Sequence, residues 1–275
     1  MRFKRFCSLS IAAAIGMSIL AGTAAAKETT TGVGFDFNQN DGGFTPIFSD
    51  YPNEQGVEEF YELRSGHEEV PIADAGKGLF LSGNNHSNDL FMGYFKELSG
   101  LAPETEYQFT VRFKLATNVE NDMIGIGGAL GESVFVKCGV ASEEPENSLD
   151  SLNHFRLNID KGSQSTGGAD MTVVGNLAKK EINRPGEYEF NEIETKVIAR
   201  TDEAGTAYLV IGTDSGFEGV TSYYLDDISV SGADTSEVSV TRGDAAKMLL
   251  DHAHRWDEIV GTPTFTDVAW EAPYA

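Results

Sequence analysis

Cysteine is almost absent from this chain of 275 residues, which holds only Cys7 and Cys138. Cys7 falls in an N-terminal leader, so one thiol is left and no intrachain disulfide can form. Cys138 stands in the apolar run SVFVKCGV with no His and Asp arrangement to activate it. It reads as a small buried hydrophobe. Positive charge is also scarce, with 20 Lys and Arg against 43 Asp and Glu and a formal net charge of −23. A chain of that sign is a poor partner for nucleic acid or an anionic membrane surface, and cations are its natural company. Zinc-ligand spacing, a nucleophile elbow and a phosphate-binding loop are all missing, so no catalytic residue is assigned. Past residue 26 no apolar run approaches ~20 residues, the length a membrane-spanning helix needs.

What is present begins with that leader. MRFKRF is a positive n-region, CSLSIAAAIGMSIL an apolar h-region, and AGTAAA offers an A-x-A cleavage site after Ala26. Residues 1–26 are therefore expected to be a signal peptide, and the mature protein to be secreted and not membrane-spanning. Cleavage removes Arg2, Lys4 and Arg5 and no acid, which takes the net charge from −23 to −26.

From about Val33 to Val230 the pattern is that of strands. In YQFTVRFKLAT, residues 107–117, Tyr107, Phe109, Val111, Phe113 and Leu115 share one face and Gln108, Thr110, Arg112 and Lys114 the other. Further apolar runs follow, separated by GSQSTGG, NRPGE, TDEAG and DSGFEG. Strands at this spacing, rich in glycine turns, predict an all-β sandwich or barrel. SGADTSE then forms a polar linker, and the period changes from 2 to 3.6. The expected organisation is a signal peptide over 1–26, a β-sandwich over 27–232, a linker over 233–237, and a C-terminal segment with a short helix over 238–275.

Three stretches in order, FDFNQNDGGF at 35–44, LSGLAPETEYQFTVRF at 98–113 and YYLDDISV at 223–230, resemble the carbohydrate-binding-module-like jelly rolls of secreted bacterial proteins. That resemblance implies a jelly-roll fold, LDDISV as a last strand near the first, and a structural calcium ion between them. Calcium takes six to eight oxygen ligands. The matching residues are Asn38, Asp41 and Asp226; Asn38 stands where such modules usually carry Glu. On a strictly alternating strand Asp227 would face away from Asp226.

The richest polar stretch, Asn84-Asn85-His86-Ser87-Asn88-Asp89, lies between two apolar runs. It reads as an Asx turn joining two strands. It is also a candidate ligand loop, since Asn and His offer both donors and acceptors for sugar hydroxyls. Flat apolar faces for sugar rings would come from Tyr51, Phe60, Tyr61, Tyr94 or Phe217. Phe217 is expected to be the exposed one, at the tip of DSGFEG. Both Trp residues fall in the C-terminal segment. Glu62, Arg64 and His67 in EEFYELRSGHEE could serve a polysaccharide-active enzyme of this fold. An ion pair between Glu62 and Arg64 explains them more simply.

VTRGDAAKMLL, residues 240–250, opens with a capping box from Thr241 to Asp244 and continues with Ala245, Met248, Leu249 and His252 at helical spacing. With FTDVAWEAPYA, residues 265–275, it resembles an S-layer homology repeat. That family anchors proteins to polymers of the bacterial cell wall, and its motif maps onto Thr241, Arg242 and Asp244, with Trp270 near the groove. The stretch ends as a second helix would begin, so the repeat is incomplete. The leading expectation is an exported, non-catalytic surface protein that binds extracellular polysaccharide or another extracellular ligand and carries a wall-anchoring remnant. The alternatives are a polysaccharide-active enzyme and a structural envelope component.

Overall fold

The computed structural model describes residues 31–180 and 185–235. The leader and the segment bearing Thr241, Arg242, Asp244 and Trp270 lie outside the described residues. So does the expected C-terminal helix.

Two antiparallel sheets pack face to face as an all-β, jelly-roll-like sandwich. The chain runs through β1 (Thr31–Phe35), β2 (Thr45–Ser49), the one-turn helix α1 (Val57–Phe60), β3 (Arg64–Glu69), β4 (Lys77–Asn85), β5 (Leu90–Leu98) and β6 (Glu106–Thr117). Two short strands, β7 (Ile124–Gly125) and β8 (Gly128–Ala129), precede β9 (Val134–Ala141). Then come β10 (Asn147–Leu149), β11 (Phe155–Leu157), β12 (Met171–Asn176), β13 (Glu189–Arg200), β14 (Ala207–Ser215) and β15 (Gly219–Asp234). The six-stranded sheet has the order β13-β6-β15-β4-β3, with β1 also paired to β15. The five-stranded sheet has the order β12-β9-β14-β5-β2.

β15 is the organising strand. Its first half pairs with β4 and its second half with β1, while β6 runs along its other edge. This is the first-strand to last-strand pairing expected of YYLDDISV. Strict alternation, however, breaks inside that motif. The register shifts between Asp226 and Ser229, and Asp227 takes a left-handed φ of 48°. Such a bulge re-aims side chains. Asp227 turns to Lys114, with 2.9 Å between Oδ2 and Nζ. β15 ends at Asp234, two residues into the stretch read as a linker.

The opening strand is shorter than FDFNQNDGGF suggested. It stops at Phe35, and residues 36–44 form turns. The reason is local: Asp36, Asn40 and Asp41 each accept a backbone N–H two residues on, from Asn38, Gly42 and Gly43. Side chains of this type offer the backbone an alternative to the ladder.

The core between the sheets holds the expected face of β6, Tyr107, Phe109, Val111, Phe113 and Leu115, against Val134, Val136, Cys138 and Val140 of β9 and Leu209 and Ile211 of β14. Each such side chain contributes about 1.5–3 kcal/mol by leaving water. Cys138 is fully buried, and that burial pushes its thiol up to about 12. It is inert packing. The Tyr107 hydroxyl accepts from the Ala102 N–H at 3.0 Å and fastens the proline turn to the strand that follows.

The two outer faces differ. On the five-stranded sheet, Ile47, Phe91, Phe95, Met171 and Val210 are buried beneath residues 142–170, which contribute Leu157 and Ile159. On the six-stranded sheet a smaller cluster of Val70, Phe80, Ala116 and Tyr224 is flanked by Tyr188 and Phe190. Arg64 lies over the Phe80 ring and Lys114 over that of Phe190.

Candidate functional site

The polar stretch between β4 and β5 is the Asx turn its composition indicated, and Asn85 builds it. Its Oδ1 accepts from the Ser87 and Asp89 amides, and its Nδ2 donates to the Ser215 and Phe217 carbonyls. All four bonds are internal and Asn85 is buried. It positions the loop and is not available to a ligand, contrary to the sequence expectation. Phe217 is corrected too. It is buried at 9% exposure, because its ring packs beneath the backbones of Gly125 and Gly219, where any Cβ would strike it. Tyr51, Tyr61 and Tyr94 are likewise core.

The aromatic that does face water is Phe60, at 61% exposure. α1 is preceded by its N-cap Gly56, whose φ of 76° suits glycine, and is anchored by buried Val57. Its last residue is thereby turned outward. The imidazole of His86 stacks on Phe60 with 4.1 Å between ring centroids and 24° between planes, and its Nε2 lies 3.1 Å from the Phe60 carbonyl. Alongside, Asn84 Nδ2 donates to Glu62 Oε1 at 2.8 Å. Glu62 therefore pairs with Asn84 and not with Arg64, whose partner is Glu68 at 3.4 Å. Val220, also exposed, stands opposite Asn84 in the β4–β15 register, and Ile126 bridges to Glu218 two residues away. Phe60, His86, Asn84, Glu62 and Val220 thus form a patch of flat apolar surface with donors and acceptors at its rim. Asn88 is exposed, and its backbone carbonyl accepts from Gln164 Nε2 at 2.7 Å.

Asp89 belongs to a second cluster. Carboxylate oxygens of Asp50, Asp89 and Asp214 lie within 4.8 Å of one another. Asp50 follows β2, Asp89 precedes β5 and Asp214 is on β14. Three cations meet them. Lys137 Nζ and Lys161 Nζ are each 2.8 Å from Asp214 Oδ2, Lys161 Nζ is 2.9 Å from Asp50 Oδ2, and Arg156 bonds Asp50 Oδ1 at 2.7 Å and Asp150 Oδ2 at 3.1 Å. The Arg156 guanidinium also reaches Asp89 Oδ2 at 3.4 Å. A cleft of about 310 Å³, lined by Asp50, Asp89, Arg156 and Lys161, opens beside the cluster. Burial raises the Asp89 carboxyl to about 6, helped by repulsion from Asp50 and Asp214 and opposed by Lys161 and Arg156. Burial also works against the Asp214 charge, but the combined pull of Lys161 and Lys137 outweighs it and holds that carboxyl below the usual range.

These three carboxylates are the one group of metal-ligand type among the described residues. Three cations already crowd the site, with the Lys161 ammonium seated between Asp50 and Asp214. A metal ion would have to displace it. The sequence-expected calcium ligands lie elsewhere. Asn38 donates to Asp36 Oδ1, Asp41 accepts from Gly43, and Asp226 Oδ1 accepts from the Asp227 amide. Burial raises the Asp226 carboxyl, and the charges of Asp227 and Asp36 add to that. A cation between β1 and β15 would relieve this repulsion, and the nearby acid would be Asp36. A larger cleft, about 490 Å³, opens at the opposite end of β5 and is lined by Val33, Phe35, Leu98, Leu101 and Phe109. It holds neither cluster.

No family model matches the chain, and no curated protein matches it either. Among solved structures, the xylan-binding CBM22-1 domain of Xyn10C from Paenibacillus barcinonensis is 10% identical over 74% of this chain and 94% of its own, with a TM-score of 0.35. The TmCBM61 structure, in complex with β-1,4-galactotriose, is 8% identical over 71% and 92%, with a TM-score of 0.33. The K1 cleaved adhesin domain of Lys-gingipain from Porphyromonas gingivalis W83 is 12% identical over 73% and 97%, with a TM-score of 0.33.

Proposed function

We propose that this protein is an exported, non-catalytic glycan-binding protein whose contact surface is the Phe60–His86 patch. The observation that carries the proposal is the outward Phe60 ring, stacked on His86 and rimmed by the Asn84–Glu62 pair. Contiguous exposed apolar surface rimmed by polar groups is what ligand-binding sites present, and Phe60, His86 and Val220 lie together here. A sugar ring offers the matching surface: an apolar C–H face for the aromatic and hydroxyls for Asn84, Glu62 and His86. Affinity electrophoresis of the mature chain in gels carrying a panel of neutral polysaccharides tests it. Retardation by at least one polysaccharide is expected, with Phe60→Ala losing about tenfold, or ~1.4 kcal/mol, of affinity. Absence of retardation in every gel, or an unchanged Phe60→Ala variant, overturns it.

Two further parts of the reading belong to the same proposal. A wall polymer would be held through Thr241, Arg242, Asp244 and Trp270, which co-sedimentation of the Arg242→Ala chain with purified walls would test. A structural Ca²⁺ would sit at Asn38, Asp41 and Asp226, with Asp36 added. A melting temperature unmoved by a chelator removes that claim, since an ion bound only to the folded state stabilises it by mass action.

A further inference from the structure

Residues 142–170 leave the five-stranded sheet after β9 and return as β12, crossing its outer face in between. Little regular structure holds them there. β10 and β11 pair only with each other over three residues. The apolar grip is Leu157 and Ile159 against Ile47, Phe91 and Phe95. Beside it, Asn147 and residues 153–155 hydrogen-bond to residues 48–53, and Phe155 packs on Tyr51. The charged anchorage converges on one place. Arg156 and Lys161 reach inward to Asp50, Asp89 and Asp214, the Gln164 amide donates to Asp214 Oδ2 at 2.9 Å, and Lys137 of β9 donates to the carbonyls of Lys161 and Thr166.

We propose that residues 142–170 form a strap whose grip on the sheet is set by a single titratable carboxyl, that of Asp89, within an ionic lock of Asp50, Asp89 and Asp214 against Arg156, Lys161 and Lys137. The geometry makes Asp89 the odd member. Asp50 and Asp214 are at most 4% exposed and have close ammonium or guanidinium partners. Asp89 has only the 3.4 Å contact to Arg156; its Oδ1, like that of Asp214, is buried without a hydrogen-bond partner. Arg156 is shared, because Asp50 and Asp150 both hold it more closely. Ionised Asp89 is thus a third carboxylate in a space where the cations are already committed. The Asp89 side chain is already 34% exposed, so lifting the strap adds water at its buried Oδ1, which is the relief its charge requires.

The sign follows from this arrangement. Burial of Asp89 in the closed strap is the main cause of its raised value of about 6. Closing is therefore favoured with Asp89 protonated, and that contribution is lost as the pH rises through about 6. Asp214 acts oppositely. Its carboxyl is held low, so its contribution persists above the ordinary carboxylate range and fades only on stronger acidification. The lock is tightest between those limits. The charged groups around Asp89 are Asp50 beside β2, Asp214 on β14, Lys137 on β9, and Arg156, Lys161 and Asp150 on the strap. Gln164 and Arg156 also touch Asn88 and Asp89, so a loosened strap frees the loop that carries His86. That consequence alone rests on the glycan reading.

Hydrogen exchange of the mature chain by mass spectrometry, corrected for intrinsic rates, reads the strap directly. Peptides from 142–170 are expected to exchange about fivefold more slowly near pH 5 than near pH 7.5, while those from β6 and β15 stay unchanged. Asp89→Asn, which fixes the neutral state, should give slow exchange at both values. Histidine titrates in the same range, and His154 lies on the strap 4.0 Å from Asp150. His154→Gln must therefore retain the pH response. A wild-type strap indifferent to pH, an Asp89→Asn strap that still responds, or a response abolished by His154→Gln overturns the proposal. Strap protection gained on adding Ca²⁺ at fixed pH would make the cluster an ion site and overturn it as well.

Discussion

The two sheets bury their strands differently. β6 and β13 of the six-stranded sheet alternate along nearly their whole length, with one face in the core and the other carrying Arg112, Lys114, Glu192, Glu194 and Lys196. β5, β9 and β14 of the five-stranded sheet are buried on both faces, with scarcely an exposed residue among them. One sheet face meets solvent directly. The other is roofed by 29 residues with almost no ladder of their own, held by hydrogen bonds to residues 48–53, by Leu157 and Ile159, and by ionic contacts. A covered sheet face needs a cover, and a cover without strands must find its hydrogen bonds and charge partners elsewhere. Here the hydrogen bonds go largely to residues 48–53, and the charge partners are concentrated at Asp50, Asp89 and Asp214, beside the loop that carries His86.

The largest effect should come from breaking the lock at its buried end. Asp214→Ala leaves Lys137 and Lys161 beside each other, both at most 9% exposed, without the carboxylate they share. Removing one partner of a buried pair costs about 3–5 kcal/mol. The midpoint of urea unfolding, compared with wild type at neutral pH, measures it. A loss below ~1 kcal/mol would mean that the ammonium groups find water with the strap in place, and the contrast between the two sheets would lose its physical basis.

The same contrast shows what the sequence could disclose. YQFTVRFKLAT gives the inward face of β6 residue by residue, because period-2 alternation is what one-sided burial looks like. Two-sided burial was legible too, as the continuous runs SVFVKCGV, LFMGYF and TAYLVIGTD. The charges were the signal that went unused. Lys137 and Asp214 each interrupt such a run, and a charge on a strand buried on both faces demands a partner. Which partner was not legible, since Asp50, Asp89, Lys137, Arg156, Lys161 and Asp214 are scattered over most of the fold and only strand pairing unites them. At the patch, the loop and His86 stood out by composition. The exposed ring did not: Phe60 and Tyr61 are adjacent, and only the one-turn helix decides that the first points out and the second in. Phe217 went wrong for a complementary reason, since a glycine-flanked aromatic reads as a loop tip until the glycines prove to be the space its ring occupies.

A middle-sized effect separates the apolar part of the roof from its charges. Ile159 is the strap's own buried side chain over the five-stranded sheet. Ile159→Ala should cost about 2 kcal/mol, the low end for such a truncation, because an irregular segment can settle into the space better than a strand can. The strap's exchange should quicken while its midpoint on a pH scale stays where Asp89 sets it. A shifted midpoint would tie the titration to packing and not to the ionic lock.

The smallest effect belongs to the open sheet. Arg112 Nε and Glu194 Oε2 stand 2.8 Å apart across β6 and β13, the same distance as Lys137 to Asp214 in the lock, but both side chains are more than half exposed. Distance is not what decides the worth of an ion pair. In water the Coulomb gain is screened, and ordering two long side chains offsets much of the rest. Arg112→Ala should therefore change stability by no more than about 0.5 kcal/mol, and the small change should vanish in about 1 M salt, where the screening length falls to ~3 Å. Asp214→Ala should keep most of its cost in the same salt, because no counter-ion reaches the buried ammonium groups. Equal salt sensitivity in the two variants would show that the roof admits solvent as freely as the open face.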